Sequence, residues 1–254
     1  MRSSWFDRRG GRGVNARYAV YFVPEPETAL AKLGSALLGR DSEAGHPVPQ
    51  PRFPGFPEEK LRALTVDARR YGLHATLKAP FFLKQGMTER DLLFFADKFV
   101  MGRQPIVLPG LAVKRIGSFF ALVPSGETPE GQEAIQRINA LAADAVSFFD
   151  PFRAAPSEQE IARRHPENLS ARQRALLIEW GYPYVFDEYR FHITLTDRLR
   201  EGAETRPLEE SLRTHFGQVC NERVSVSSIC FYKQSLRDTG CEFMLLKRLH
   251  FQKT

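Results

Sequence analysis

Cysteine is nearly absent from this chain of 254 residues, and the three present, Cys220, Cys230 and Cys241, are odd in number with no C-x-x-C spacing. A disulfide framework and a cysteine-rich structural zinc site are both excluded, and the pattern suits a reducing, cytoplasmic setting. Also missing is any apolar run near the roughly 20 residues that cross a bilayer. The opening "MRSSWFDRRGGRGVNA" has arginines but no apolar stretch, so it does not read as a secretory signal. There is no Walker A loop, no G-x-S-x-G elbow and no Gly-rich dinucleotide fingerprint. Their absence removes common ways of holding a nucleoside triphosphate, an acyl group or a nicotinamide cofactor.

What is present is an ordinary globular composition, 43% apolar and 26% charged, with a formal charge of +6. The positive excess is local. Arg2, Arg8, Arg9, Arg12 and Arg17 stand against Asp7 alone, which leaves residues 18–254 only weakly basic. A surface that coats nucleic acid needs a broad basic stripe, whereas a single phosphate needs a few placed cations. Residues 1–16 read as a disordered Arg-rich extension. Residues 17–254 read as one bilobal domain with a helical insert at about 150–183, where Pro151, Pro156, Pro166 and Pro183 interrupt short helical pieces.

The element order is repetitive. "RYAVYFVP" (17–24) predicts a strand and "PETALAKLGSALLG" (26–39) a helix. A Pro/Gly-rich loop at 40–57 precedes a helix at 58–70. A helix at 88–102 follows, then paired strands over 105–124 turning near Gly117 and Ser118, and a long helix at 128–149. After the insert come a short helix near 206–216 and strands at 219–233 and 240–249. Two halves with the same grammar predict an internally duplicated, two-lobed α+β fold. The halves would meet through their motif strands.

Each half also writes the same motif. "YGLHATLKAP" (71–80) and "YRFHITLTDR" (189–198) share Tyr, His, Thr and Leu at matching places. Alternate side chains of a strand share a face, so His74, Thr76 and Lys78 project together, as do Arg190, His192, Thr194 and Thr196. The opposite faces are apolar. A neutral imidazole can take a proton from an attacking hydroxyl while a protonated partner gives one to a leaving oxygen. Threonine hydroxyls can donate to a phosphoryl oxygen, and phosphoryl transfer depends on that kind of charge stabilisation. Lys78 and Arg190 are candidates for the remaining phosphate charge. Tyr71 and Tyr189 would fall on the opposite face if the strand began there, and read as core or rim packing. "WGYPY" (180–184) reads as a packed corner, and "ARRH" (162–165) as a solvated helix end.

Paired H-x-T-L strands in a duplicated chain resemble the 2H phosphoesterase superfamily, the LigT-like proteins. The wider context of "RYAVYFVP", "YGLHATLKAPF" and "WGYPYVFDEYRFHITLT" resembles a branch of it labelled as a phosphonate metabolism protein, over residues 17–250. The resemblance implies two lobes of antiparallel sheet around a central cleft, with helices outside, and a metal-independent cyclic phosphodiesterase with no cofactor; no membrane partner is expected. His74 and His192 would be its acid and base, and Thr76 and Thr194 its phosphate-binding hydroxyls. The implied substrate is a small cyclic phosphate, in phosphonate catabolism a ribose 1,2-cyclic phosphate bearing a 5-phosphate. Three alternatives stand beside it. One is action on 2′,3′-cyclic nucleotides or RNA ends, against which the weak basicity of residues 18–254 counts. The second is a non-catalytic nucleotide- or sugar-phosphate-binding module. The third is a metallohydrolase, for which these faces supply too few carboxylates.

Overall fold

The computed structural model describes residues 16–200, 202, 205–236 and 242–252; the Arg-rich start and Cys241 lie outside the described residues. The chain runs through β1 (Ala16–Phe22), α1 (Ala29–Leu38), β2 (Arg40–Asp41), β3 (His46–Pro47), α2 (Glu58–Ala63), α3 (Val66–Tyr71) and β4 (Ala75–Phe82). It continues with α4 (Glu89–Val100), β5 (Ile106–Leu108), β6 (Leu111–Ile116), β7 (Phe119–Pro124) and α5 (Pro129–Phe149). Then follow α6 (Glu158–Ala162), α7 (Ala171–Trp180), β8 (Ile193–Thr194), α8 (Thr205–Cys220), β9 (Val224–Val226), β10 (Ser228–Ser235) and β11 (Phe243–His250).

Local chemistry sets the helix boundaries. Thr28, Thr88, Thr128 and Ser170 each accept a backbone N–H from the first turn of the helix they precede. Gly39 and Gly181, both in the left-handed region, close α1 and α7. The helix expected over 58–70 is instead two short ones. Thr65 sits at the break, fully buried, with its hydroxyl on the Leu61 carbonyl. The 40–57 loop contains the small β2–β3 hairpin.

Seven strands form one sheet in the order β11-β10-β1-β4-β8-β7-β6, and every pairing in it is antiparallel. The lobes are therefore not separate sheets. They are the two ends of one sheet, joined where the motif strands β4 and β8 meet. β1 and β10 lie inside the sheet and are buried on both faces, which explains their near-continuous apolar sequences. One face carries the main core: Val20, Phe22, Ala75, Leu77, Leu122 and Ile193 pack against α1, α4, α5 and α8. On the other face a smaller cluster gathers Ala19, Tyr21, Tyr232 and Phe243, with Tyr71 against it. Among the described residues no helix is long and apolar enough to cross a membrane.

Candidate active site

Helix α3 ends at Gly72, whose φ of 77° only glycine adopts without strain. A Cβ there would lie 2.0 Å from the Ser42 hydroxyl oxygen. The turn leads the chain straight into β4. Ala75 then pairs with Ile193 of β8. Both are fully buried on the core face, so their neighbours in sequence face the other way. One step along that register sets His74 opposite Thr194 and Thr76 opposite His192. Opposed side chains in a ladder start about 4.5–5.5 Å apart, and diagonal ones about 7–8 Å. The two imidazoles are such a diagonal pair, and the two hydroxyls are the other.

The rings are clamped alike. His74 Nδ1 lies 2.8 Å from the Gly72 carbonyl oxygen, and His192 Nδ1 lies 2.8 Å from that of Arg190. A carbonyl can only accept, so each Nδ1 carries the hydrogen, and Nε2 of each neutral ring is left as the basic nitrogen. The surroundings differ. Tyr21 lies against His74 with ring centroids 3.9 Å apart, and Tyr71 is 6.0 Å away. The aromatic neighbour of His192 is Phe119, at 5.7 Å. Burial lowers the His74 pKa to about 4, with the Gly72 bond opposing and a charge on nearby His192 adding to the shift. Burial also lowers that of His192, opposed by the bond to Arg190. Neither threonine hydroxyl has a side-chain hydrogen bond among the described residues, so both are free to donate.

The cations are placed differently from expectation. β4 carries an extra residue where it pairs with β1: Tyr21 faces Thr76, but Val20 faces Lys78. Lys78 is thereby drawn to the core side, 3% exposed. Its ammonium donates to the Val146 carbonyl at 2.9 Å and to Asp150 at 3.2 Å, against the end of α5. It does not join the histidines. Arg190 is exposed and donates to the Asp187 and Tyr189 carbonyls, closing its own turn. Thr196 is also off the shared face, buried, with its hydroxyl accepting the Phe120 N–H.

The tyrosines read as packing do pack: Tyr189 lies in the main core and Tyr71 against the smaller cluster. Tyr71 comes near His74 because the strand starts after Gly72 rather than at Tyr71. The Tyr189 hydroxyl donates to the Thr76 carbonyl, tying the second motif to the first at 2.9 Å. Tyr182, from the 180–184 corner, packs with Val146, Leu176 and Val185 and carries the Arg164 guanidinium over its ring. The Tyr21 hydroxyl is buried with no hydrogen-bond partner among the described residues. The aromatic content of "WGYPY" was the available signal for Tyr182; its partners are too distant in sequence to be read. A cavity of about 240 Å³ that neither histidine lines is bordered by Val23, Lys32, Asp41, Ser42, Glu43 and Leu73 among others. Asp41 and Glu43 make it a poor receiver for a phosphate.

A family model described as protein of unknown function (DUF1045) matches residues 76–242, a span that begins just after His74 and takes in the second motif. Two curated relatives carry the name ribose 1,5-bisphosphate phosphokinase PhnN. The one from Janthinobacterium sp. (strain Marseille) is 46% identical over 183 residues, covering 72% of this chain and 39% of the relative. The one from Laribacter hongkongensis is 37% identical over 188 residues, covering 73% and 41%. The chain thus spans about two-fifths of the length of these relatives. Among solved structures, E. coli LigT complexed with 3′-AMP is similar with a TM-score of 0.42 and 15% identity, over 94% of this chain and 99% of that one. TT0787 of Thermus thermophilus gives 0.42 and 16%, over 92% and 97%.

Proposed function

The chain belongs to the family described as protein of unknown function (DUF1045), and we propose that it is a phosphoesterase that opens the ring of a cyclic sugar phosphate without a metal. The observation that carries this reading is the crossed register about Ala75 and Ile193. It sets two imidazoles and two unbonded hydroxyls on one face of the sheet. A phosphate seated there receives hydrogen bonds from Thr76 and Thr194, while the Nε2 atoms address it from two sides.

The roles follow from the surroundings. His74, the more deeply enclosed ring, stays neutral and takes a proton from water as the water oxygen attacks phosphorus. His192, more open, holds a proton and gives it to the sugar oxygen as the phosphorus–oxygen bond breaks. One water is consumed, the ring becomes a monoester, and the two rings exchange their protonation states before the next turnover.

A ribose 1,2-cyclic phosphate bearing a 5-phosphate suits this chemistry. Opening it at the 2-oxygen yields ribose 1,5-bisphosphate, the compound in the name of both curated relatives. The test compares kcat/KM, in EDTA, for that molecule, a 2′,3′-cyclic nucleotide and a linear diester. The cyclic sugar phosphate is expected to be fastest and the linear diester inert. Faster cleavage of the nucleotide or of RNA ends overturns the sugar assignment, and activity restored only by a divalent ion overturns the metal-free mechanism.

A further inference from the structure

β1 is paired on both edges, so its side chains have fixed directions. Tyr21 lies opposite Cys230 of β10 and opposite Thr76 of β4. It projects with Ala19 and Val23 to the face away from the main core, and it is fully buried. Its ring meets the imidazole of His74 with centroids 3.9 Å apart and planes 32° from parallel. Tyr232 at 5.4 Å and Phe243 at 6.2 Å close round the phenol. The same group backs the turn that clamps His74. The hydroxyls of Tyr232 and Ser42 share a hydrogen bond of 3.1 Å, and Ser42 leaves no room for a Cβ at Gly72. The ring face of His74 and the carbonyl that holds its Nδ1 therefore rest on one packed cluster. His192 lacks such a seat among the described residues: its aromatic neighbour, Phe119, is half-buried and 5.7 Å away.

We propose that Tyr21 is a positioning residue for His74, its ring covering one face of the imidazole so that this histidine, and not His192, serves as the base. The inference rests on the phosphoesterase reading above and assigns a cause to its division of roles. The contribution lies in the ring. The Tyr21 hydroxyl has no hydrogen-bond partner among the described residues, and burial drives its pKa well above the ordinary phenol value. It therefore neither ties the imidazole nor passes a proton. A covered face fixes the tilt of the imidazole and so keeps Nε2 directed at a bound phosphate. Two further effects oppose each other. A phenol face attracts an imidazolium through its quadrupole, and it also keeps water from that imidazolium. The second prevails, because burial is the leading cause of the His74 pKa of about 4. The other titratable groups beside His74 are Tyr71 at the end of α3, 6.0 Å away, and His192 on β8, whose charge acts in the same direction as burial. Arg17 reaches the cluster over Phe243, at 5.6 Å, but donates to Gln234 at 2.8 Å.

Nitrogen-15 magnetic resonance of the imidazoles tests this without turnover. The whole chain is compared with Tyr21→Phe and Tyr21→Leu, and His74→Gln identifies the His74 signals. In the unchanged protein His74 is expected to titrate at about 4, with the hydrogen of the neutral ring on Nδ1. Tyr21→Phe should keep both features. Tyr21→Leu should move the titration toward the ordinary value of about 6.5 and mix the two tautomers. Tyr21→Met carries the same test where Tyr21→Leu does not fold. On a cyclic phosphate, Tyr21→Leu should shift the acid limb of kcat/KM upward and cost up to about 10²-fold, the scale of a misplaced catalytic group. A titration unchanged or displaced downward in Tyr21→Leu, or a change as large in Tyr21→Phe, overturns the proposal. A ring-dependent titration in a protein that opens no cyclic phosphate upholds the Tyr21 contact and sinks the phosphoesterase reading. An unchanged titration in a protein that does open one has the reverse meaning.

Discussion

Ala75 lies directly opposite Ile193 at the junction of β4 and β8, and both side chains are fully buried. This pair orients both motifs, because its burial on the core face turns His74, Thr76, His192 and Thr194 to the other. If the rings perform the proton transfers, His74→Ala and His192→Ala should each lower kcat by about 10²–10⁴-fold. The melting temperature should stay close to that of the parent, since neither ring forms part of the main core. Single-turnover rates and thermal scans check this, and full activity in either variant contradicts the assigned roles.

Thr76→Val and Thr194→Val keep the side-chain shape and remove one donor each. Each should cost up to about 10²–10³-fold in kcat, the scale of one oxyanion donor. An unchanged rate and unchanged inhibition by phosphate in both variants would mean that the hydroxyls only shape the strand.

Lys78 separates a structural cation from a substrate cation. Its ammonium is buried on the Val146 carbonyl and Asp150, while Asp150 keeps Arg153 at 2.8 Å. Lys78→Met should cost about 1–3 kcal/mol of stability, by stranding a buried carbonyl, and leave KM unchanged. Denaturant titration and steady-state kinetics read the two effects. A large rise in KM with unaltered stability would return Lys78 to the phosphate.

This residue also marks where the sequence stopped being legible. Period-two alternation placed both histidines and both threonines on one face, and the single ladder pair at Ala75 agrees with that placement. The same rule put Lys78 beside them, but the extra residue opposite Val20 breaks the alternation within the strand. Nothing local to "LKAP" announces the shift, since it arises from pairing with β1. Tyr71 packs as read but on the His74 side, for a related reason: the turn at Gly72 starts the strand later than the motif does. Arg164 and Tyr182 meet only through tertiary packing, so composition could give aromatics and arginines there but no contact. The duplicated grammar did give the α+β class, though not that the two halves share one sheet.

The pH dependence has a definite sign. A histidine in an unfolded chain titrates near 6.5, whereas His74 in the folded chain does so at about 4. Between those values the unfolded state binds more protons, so stability should fall as pH drops from about 6.5 to about 4. His74→Gln should flatten that slope in denaturant titrations. Burial also lowers the His192 pKa, so the form with one neutral and one charged ring is populated on the acid side. The optimum of kcat/KM, which reports the free protein, should therefore lie below about pH 6.5. An alkaline optimum, or a slope untouched by His74→Gln, contradicts this.

The most direct measurement follows the phosphorus itself. Ribose 1,2-cyclic phosphate 5-phosphate is incubated with the protein in EDTA and observed by ³¹P nuclear magnetic resonance. The account predicts that the cyclic-diester signal gives way to a second monoester signal, that the product is ribose 1,5-bisphosphate, and that His74→Ala and His192→Ala each suppress the change. A cyclic signal that persists with the unchanged protein, or is lost equally with both histidine variants, would contradict it.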